Sequence, residues 1–516
     1  MVETNPFRKW MITLTVITAS VIELIDVSIV NVALPDMMGN LGATLDEVAW
    51  VVVSYVVANV VVLPMTGWLA ARFGRRRYFV ASIVLFTVAS FFCGHADGIW
   101  ELVVFRFLQG AGGGGLLSTS QAILIETFPP SERGMANALF GLGVITGPTL
   151  GPVMGGWITD NMTWPWIFYV NLPIGVVAVL LSLAFIREPA HARKAPSVDG
   201  WGIALLAVGI GSLQIVLERG DREDWFATTY IVVLTAVAAV VLPLFAWHEL
   251  RTEHPIVDLR VLKDRSLALG TFFTFILGFG LYSSIFIFPV FAQNILGFTA
   301  TQTGLILLPG GLATAFMMPV IGKLLQRGFP PQVLNAIGFG LFFLFCLMLS
   351  GSSLASGRAD FFWPLILRGV GLPCLFVPLT TVALSNLEGA AIAQGTGLTN
   401  MMRQLGGSVG IAVMATYVDR HSWALRTALV SHLSPYDTAV QGWLDGVTRG
   451  IAARGVPPLA AAEKAYGALA GTVLRQTWLL TYMDAFRLVG TFFLFCIPLL
   501  LLFRKGKSKA VPVDLH

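Results

Sequence analysis

Apolar runs bounded by charged or Gly/Pro-rich breaks recur along the whole chain. About 20 residues at ~1.5 Å each cover the ~30 Å hydrocarbon core of a bilayer. The pattern predicts about 14 such helices. The first six cover roughly 11–34, 47–70, 78–96, 101–125, 136–159 and 166–187, and the next two 201–218 and 228–247. The last six cover roughly 268–292, 302–325, 332–352, 361–385, 396–418 and 480–503. The expected fold is an all-α polytopic membrane protein, with a six-helix half over 1–190, a connector with two extra helices over 191–266, and a second six-helix half over 267–516. Two segments break the rhythm. Residues 187–200 form a polar connector, and about 418–478 form a long insertion before the last span. The insertion reads as a folded hairpin, a docking surface or a passive cap, and its stretch 457–478 is predicted to run helically into the last span.

Composition agrees with the pattern. Of 516 residues, 56% are hydrophobic and only 12% charged, where soluble domains average about 25%. The net charge of +4 is small and says nothing of a nucleic-acid partner; where the charges sit matters more. Basic residues gather on every second loop: Arg8 and Lys9; Arg72, Arg75, Arg76 and Arg77; Arg133; Arg187, Arg193 and Lys194; Arg251, Arg260, Lys263 and Arg265; Lys323 and Arg327; Arg504, Lys505, Lys507 and Lys509. The short loops of the other side hold only Arg219, Arg222 and Arg358. This bias predicts both termini in the cytoplasm. The first span carries acids and lacks a small-residue cleavage site, so it reads as a retained helix rather than a signal peptide. Cys93, Cys346, Cys374 and Cys496 lie in apolar stretches with no metal or disulfide spacing. The run GAGGGG at 110–115 lacks a following Lys-Ser/Thr, and Gly506-Lys507-Ser508 lacks its upstream glycine, so neither is a nucleotide loop. No Ser/His/Asp set or HExxH appears. The expectation is therefore no enzyme, no cofactor and no metal.

The candidate chemistry lies in the first span, where Glu23 and Asp26 are three apart and share a helix face. A carboxylate at mid-bilayer costs roughly 2.5–3.5 kcal/mol on insertion scales. That is tolerable in a bundle interior, beside a wet cavity, or if the group is neutral part of the time, and burial itself favours the neutral form of a carboxyl. Such a group suits a proton-coupled carrier; alternatively the acids pair with a neighbouring span and fix packing. Arg106, in the fourth span, needs an acid on another helix, with Asp26 or Glu23 as candidate. Separating them would switch proton affinity, whereas a static ion pair would not. A weak repeat places Arg106 and Arg368 each just before a glycine-rich stretch. Asp484 opens the last span with Arg487 three residues on, either a helix-face pair or a second proton site. Arg403, near the inner end of the thirteenth span, reads as a snorkelling side chain.

Four stretches in order complete the reading: IDVSIVNVALP at 25–35, GWLAARFGRRR at 67–77, RFLQG at 106–110 and GLGVITGPTLGPVMGG at 141–156. Together they resemble the major facilitator superfamily, in its 14-helix drug:proton antiporter branch of the EmrB/QacA type, nearer EmrB. The resemblance implies that the loop with Gly67, Gly74, Arg75 and Arg76 locks the two halves in one state; the family's aspartate at its fifth position is Ala71 here. It implies a part in proton transfer for Arg106, followed by Gly110, and an antiporter signature in Gly147, Pro148, Gly151, Pro152, Gly155 and Gly156. Spacing adds that Gly143, Gly147, Gly151 and Gly155 form a seam for close helix packing, and that two prolines kink this span. The implied function is proton-coupled export of hydrophobic or amphipathic drugs across a bacterial inner membrane, with Asp26 taking the proton and Glu23 assisting. Phe, Trp and Met would line the substrate cavity. Alternatives are a fatty-acid or lipid exporter, a proton-linked importer, or a non-transporting sensor or scaffold. An EmrA-like periplasmic adaptor and a TolC-like outer-membrane channel are the implied partners, docking at 418–478.

Overall fold

The computed structural model describes residues 5–188, 198–434 and 436–502. Arg193, Lys194, Arg504, Lys505, Lys507, Lys509 and the Gly506-Lys507-Ser508 stretch lie outside them. No strand occurs among the described residues. Helix α1 (Pro6–Leu41) starts where the Asn5 side chain accepts the Phe7 N–H at 3.0 Å, and stops at Gly42 with φ +62°. Helix α2 (Leu45–Val62) opens on a Thr44/Glu47 capping box and passes through a tight turn into α3 (Thr66–Phe73). Then follow α4 (Arg75–Gly94), α5 (Ile99–Thr127), α6 (Arg133–Asn161), the short α7 (Trp166–Tyr169) and α8 (Asn171–Phe185). The extra pair is α9 (Gly200–Arg219) and α10 (Thr229–Arg251). The chain ends with α11 (Arg265–Asn294), α12 (Ala300–Gln326), α13 (Pro331–Leu349), α14 (Phe362–Ala383), α15 (Ala390–Ser431), α16 (Thr438–Ala452) and α17 (Pro458–Leu499).

Each predicted span falls on one of these helices, except that 47–70 runs over α2 and α3 and 166–187 over α7 and α8. Eleven helices are long and apolar enough to cross a membrane. Helices α5, α6 and α15 are 29, 29 and 42 residues long but fall outside that set. Glycine, amide and charged side chains dilute the hydropathy of α5 and α15, and part of α6 lies outside the described residues, so the expected count of fourteen is not reached among the described residues.

The helices pack as two bundles, α1–α8 and α11–α17. In the first, α1 lies along α6, with α5 between α2 and α4; in the second, α11 lies along α15, with α14 between α12 and α13. Helix α9 packs on α10 and also touches α2 and α15. It is pinned to α2 where Arg219 Nη1 donates to the Asp46 carbonyl at 3.2 Å, and to α15 where Gln214 Nε2 donates to Ser408 Oγ at 2.6 Å. One end of the molecule gathers basic residues: Lys9 pairs with Glu132, and Arg8 Nη2 donates to the Phe185 carbonyl at 2.9 Å.

The glycine seam is real. A Cβ on Gly147 would sit 2.7 Å from Leu24 Cβ, one on Gly155 would sit 2.9 Å from the Ile29 carbonyl oxygen, and Gly151 lies directly against Ser28. Gly156, outside that four-residue period, has nothing within 4 Å. Helix α6 continues across Pro148 and Pro152; the Pro148 side chain lies outside what the structure describes.

The long insertion is a helical hairpin. Helices α15 and α17 are each 42 residues long, roughly 63 Å against a ~30 Å core. Each is about twice as long as such a core requires, and α16, between them in the chain, packs on α17.

Gly151→Ala forces α1 away from α6 and lowers stability by about 1–3 kcal/mol. Gly156→Ala meets open space, gains helix propensity, and is neutral or stabilising by up to about 1 kcal/mol. Melting curves of the purified variants in detergent compare the two; equal effects would contradict the seam.

Candidate functional site

The glycine run in α5 builds the site by letting three helices meet. Gly110 lies against the Tyr55 backbone of α2, and a Cβ on Gly112 would be 2.7 Å from the Phe86 nitrogen of α4. A Cβ on Gly113 would be 2.7 Å from the Tyr55 hydroxyl and 3.2 Å from Glu23 Cγ. With only the Ala111 methyl on this stretch, Gln109 beside it and Arg106 one turn earlier reach α1.

Arg106 and Asp26 form a buried ion pair: Nη1 lies 2.5 Å from Oδ2, with the side chains 1% and 0% exposed. Arg106 also donates through Nε to the Val51 carbonyl at 3.2 Å and through Nη1 to Gln109 Oε1 at 2.8 Å. Its guanidinium lies 4.1 Å from the Tyr55 ring centre. Asp26 Oδ1 accepts from Gln109 Nε2 at 3.0 Å and from Asn171 Nδ2 at 2.8 Å. Both amides also donate to Ser90 Oγ, at 3.1 and 3.0 Å, and that hydroxyl donates to the Phe168 carbonyl at 2.9 Å. Every partner belongs to the first bundle, so removing one member strands a charge in a medium that cannot solvate it.

Glu23 sits differently. It is buried, and its Oε1 accepts from Asn59 Nδ2 at 2.9 Å, but its Oε2 has no hydrogen-bond partner among the described residues. The two acids share a helix face as the spacing predicts, and only Asp26 takes Arg106 as its partner.

A chain of buried amides crosses between the bundles. Asn137 Nδ2 donates to Thr381 Oγ1 at 3.1 Å, Gln121 Nε2 to Asn137 Oδ1 at 3.1 Å, and Asn400 Nδ2 to Gln121 Oε1 at 2.8 Å. Arg403 Nη2 then donates to Asn400 Oδ1 at 2.9 Å. Arg403 is 1% exposed, which corrects the expectation that it snorkels: its side chain turns inward to the seam. Nearer the basic end, Arg133 Nη1 donates to the carbonyls of Leu384, Ser385 and Leu387 at the close of α14, at 3.3, 3.3 and 3.4 Å.

The loop motif also touches the other bundle. A Cβ on Gly67 would lie 3.0 Å from the Gln394 nitrogen of α15, so its contribution to the seam is close backbone packing without a charge from Ala71. Gly74 turns the chain at φ +90° beneath Glu188. Arg75 makes a bidentate pair with Glu126, one of its bonds 2.7 Å, and Arg76 Nη2 donates to the Leu183 carbonyl at 2.6 Å. Asp484 lies apart from the cluster: its Oδ1 accepts from Arg487 Nη1 at 3.0 Å, the predicted helix-face pair, and its Oδ2 lies 3.1 Å from His421 Nε2. Arg368, the repeat partner of Arg106, faces the Phe345 ring at 6.0 Å and lines a small cavity with Thr314 and Gly310.

Sequence reasoning did not single out Asn59, Gln109, Gln121, Asn137, Asn171 and Asn400. Their common signal was an amide inside an apolar run.

The architecture now has counterparts. A family model described as Major Facilitator Superfamily matches residues 16–411. The chain belongs to the Major Facilitator Superfamily. Among its relatives are the "Fatty acid resistance protein FarB" of Neisseria gonorrhoeae, 37% identical over 85% of this chain and 88% of that protein, and the "Multidrug export protein EmrB" of Escherichia coli K12, 35% identical over 85% and 86%. The human organic anion transporter MFSD10 shares the fold at TM-score 0.61 and 15% identity, over 96% of this chain and 100% of that one. The proton:xylose symporter XylE does so at TM-score 0.57 and 14%, over 96% and 97%. Within this superfamily fold, α1 and α5 form the charged core of one bundle, and α15 carries a buried cation, Arg403, in the other.

Arg106→Gln leaves Asp26 without its counter-charge and destabilises the protein by about 3–5 kcal/mol. Adding Asp26→Asn restores a substantial part of that loss, because no lone charge remains buried. Thermal unfolding of the single and double variants measures this; a single variant as stable as wild type would dismiss the pair as the tie between α1 and α5.

Proposed function

We propose that this protein is a proton-driven exporter of hydrophobic or amphipathic compounds. The observation that carries the reading is the pair of buried carboxylates on α1, in a chain 35% identical to a multidrug export protein over 85% of its length. A long-chain fatty acid is the second substrate to test, because FarB is 37% identical over a similar span.

The arrangement proposed is fourteen spans, with α5, α6 and α15 added to the eleven most apolar. The halves cover 1–190 and 267–516, and the inserted pair lies within 191–266. Basic loops set both termini in the cytoplasm of a bacterial inner membrane. The basic end, closed by Gly67 on Gln394 and by Arg133 on α14, is then the cytoplasmic gate in its sealed state. Protons arrive from the opposite face and act through the Asp26, Glu23 and Arg106 group; release on the cytoplasmic side resets the carrier. Asp484, paired at the last span, is a candidate second proton site with His421 as neighbour. The hairpin of α15, α16 and α17 is the proposed seat of an EmrA-like adaptor leading to a TolC-like channel. Mild-detergent co-purification tests that partner: full export by the carrier alone, with no adaptor retained, counts against it.

In proteoliposomes, substrate addition to wild type should release protons, and an imposed proton gradient should drive substrate the opposite way. Asp26→Asn and Glu23→Gln should each cut gradient-driven movement by about tenfold or more while substrate binding persists. Substrate moving in the same direction as protons would make the carrier an importer. Unchanged biological function in Asp26→Asn would favour a sensor or scaffold.

A further inference from the structure

The weak repeat between the bundles is satisfied on one side only. Arg106 has Asp26, Gln109 and the Val51 carbonyl around it. Its repeat partner Arg368, on α14, is 7% exposed, and no hydrogen bond or ion pair reaches it among the described residues. Helices α11, α12, α13 and α14 contain no Asp or Glu that could meet it. Asp360, ahead of α14, instead accepts the Gly357 N–H at 2.8 Å. Where the first bundle places Gln109, three residues after its arginine, the second has Gly371. The Phe345 ring of α13 lies 6.0 Å from the guanidinium, at the outer limit of a cation–π contact.

Arg368 borders a cavity walled by Leu307, Gly310 and Thr314 of α12 and by Leu365, Gly369 and Leu372 of α14. Glycines bring the two helices close: a Cβ on Gly310 would lie 2.7 Å from the Leu365 carbonyl oxygen, and Gly369 lies directly against the Gly310 carbonyl. Thr314 Oγ1 lies 3.0 Å from the carbonyl oxygens of both Gly310 and Gly369 and engages the polar backbone of the wall. What remains is room for about one water-sized group beside an unmet cation.

We propose that Arg368 is a binding site for the carboxylate of a single-chain amphipathic acid, held by the guanidinium with its chain against the leucines of the cavity. A lone cation inside a span is costly, and an anion from outside the chain removes that cost. A carboxylate meets an arginine through two parallel bonds, and the small space suits it better than a tetrahedral phosphate. Arg368 lies about 9 Å along α14 from Phe362, at the end away from the basic loops. A membrane-dissolved acid reaches that depth with its chain in apolar surroundings, whereas an inorganic ion must first shed its water. The inference deepens the exporter reading by naming the head group of one cargo class, and rests on that reading only for the fate of the bound acid.

The test is equilibrium binding of radiolabelled oleate to the full chain in phosphatidylcholine nanodiscs at alkaline pH. Wild type should bind oleate saturably, and oleyl alcohol, which lacks the charge, about tenfold or more weakly. Arg368→Met should weaken oleate by about tenfold or more and leave oleyl alcohol unchanged; Arg368→Lys, charged but without the fork, should fall between. With no acid added, Arg368→Met should melt at or above wild type, because it removes an unmet charge. A lower melting point would show that the protein itself meets the arginine, and would overturn the proposal. Leu307→Glu puts a carboxylate into the cavity with Arg368 intact and should block oleate. Oleate bound equally by wild type and either Arg368→Met or Leu307→Glu would overturn the site. So would displacement of oleate by an equal mole fraction of phosphatidylglycerol, which assigns the seat to a lipid phosphate, or by chloride, which leaves an inorganic ion only. Oleate held through Arg368 but not moved by a proton gradient would instead overturn the exporter reading for such acids. Proton-driven oleate export at the wild-type rate in Arg368→Met would overturn the site and leave that reading standing.

Discussion

A charge inside a bilayer must be met by the protein, because lipid offers it nothing. Much of the first bundle follows from that requirement. Arg106 needs a carboxylate, and Asp26 supplies it only if α1 and α5 come close; the glycines of α5 make that approach possible. Gln109 and Asn171 then occupy the remaining acceptor sites on Asp26, and Ser90 anchors both amides. The order of dependence runs from charge to glycine to amide. Breaking it at any step leaves a polar group buried without a partner, which costs more than the bond itself contributes.

How much of this was legible in the sequence depends on the range of each interaction. The spans were, because each is a local run of apolar residues. The seam of Gly147, Gly151 and Gly155 was, because its period is written on one helix. The Asp26–Arg106 pair was within reach, because each lone charge in an apolar run demanded the other. The route from Gln121 through Asn400 to Arg403 was not: its members are separated by up to 279 residues, and only the docking of two bundles decides which amide meets which. Arg403 looked like a snorkelling cation because it lies near a span end. It turns inward because Gly278 lies against its backbone, bringing α11 close to α15, and because Asn400 one turn earlier offers an acceptor. Gly156, which falls outside the four-residue period, meets nothing within 4 Å, as that period implies.

The inserted pair answers a geometric need that hydropathy could not express. Helix α9 bonds to α2 through Arg219 and to α15 through Gln214, so it bridges the two bundles at a level away from the basic end. Helix α10 lies mainly against α9, with most of its surface outside the packed core. One inserted helix thus ties to both bundles while the other serves chiefly as its partner.

The two kinds of contact in the molecule bear on how it can move. Within the first bundle, the Asp26–Arg106 pair is buried and saturated, and glycine seams bring backbones together; such an interface resists sliding because any shift creates clashes or stranded charges. Across the seam, the bonds are neutral ones between amides and a hydroxyl and a guanidinium capping the carbonyls after α14, beside backbone packing at Gly67 and along α6 and α12, where a Cβ on Gly322 would lie 3.2 Å from the Gly134 carbonyl oxygen. Neutral amides can exchange a protein partner for water at little net cost. Such bonds can be remade with water, whereas the close packing of α6 on α12 has no such substitute. A titratable group reports such a motion only if its surroundings change when the bundles separate. The saturated Asp26 ties α1 to α5 and α8, whereas Glu23 keeps one carboxylate oxygen without a partner among the described residues.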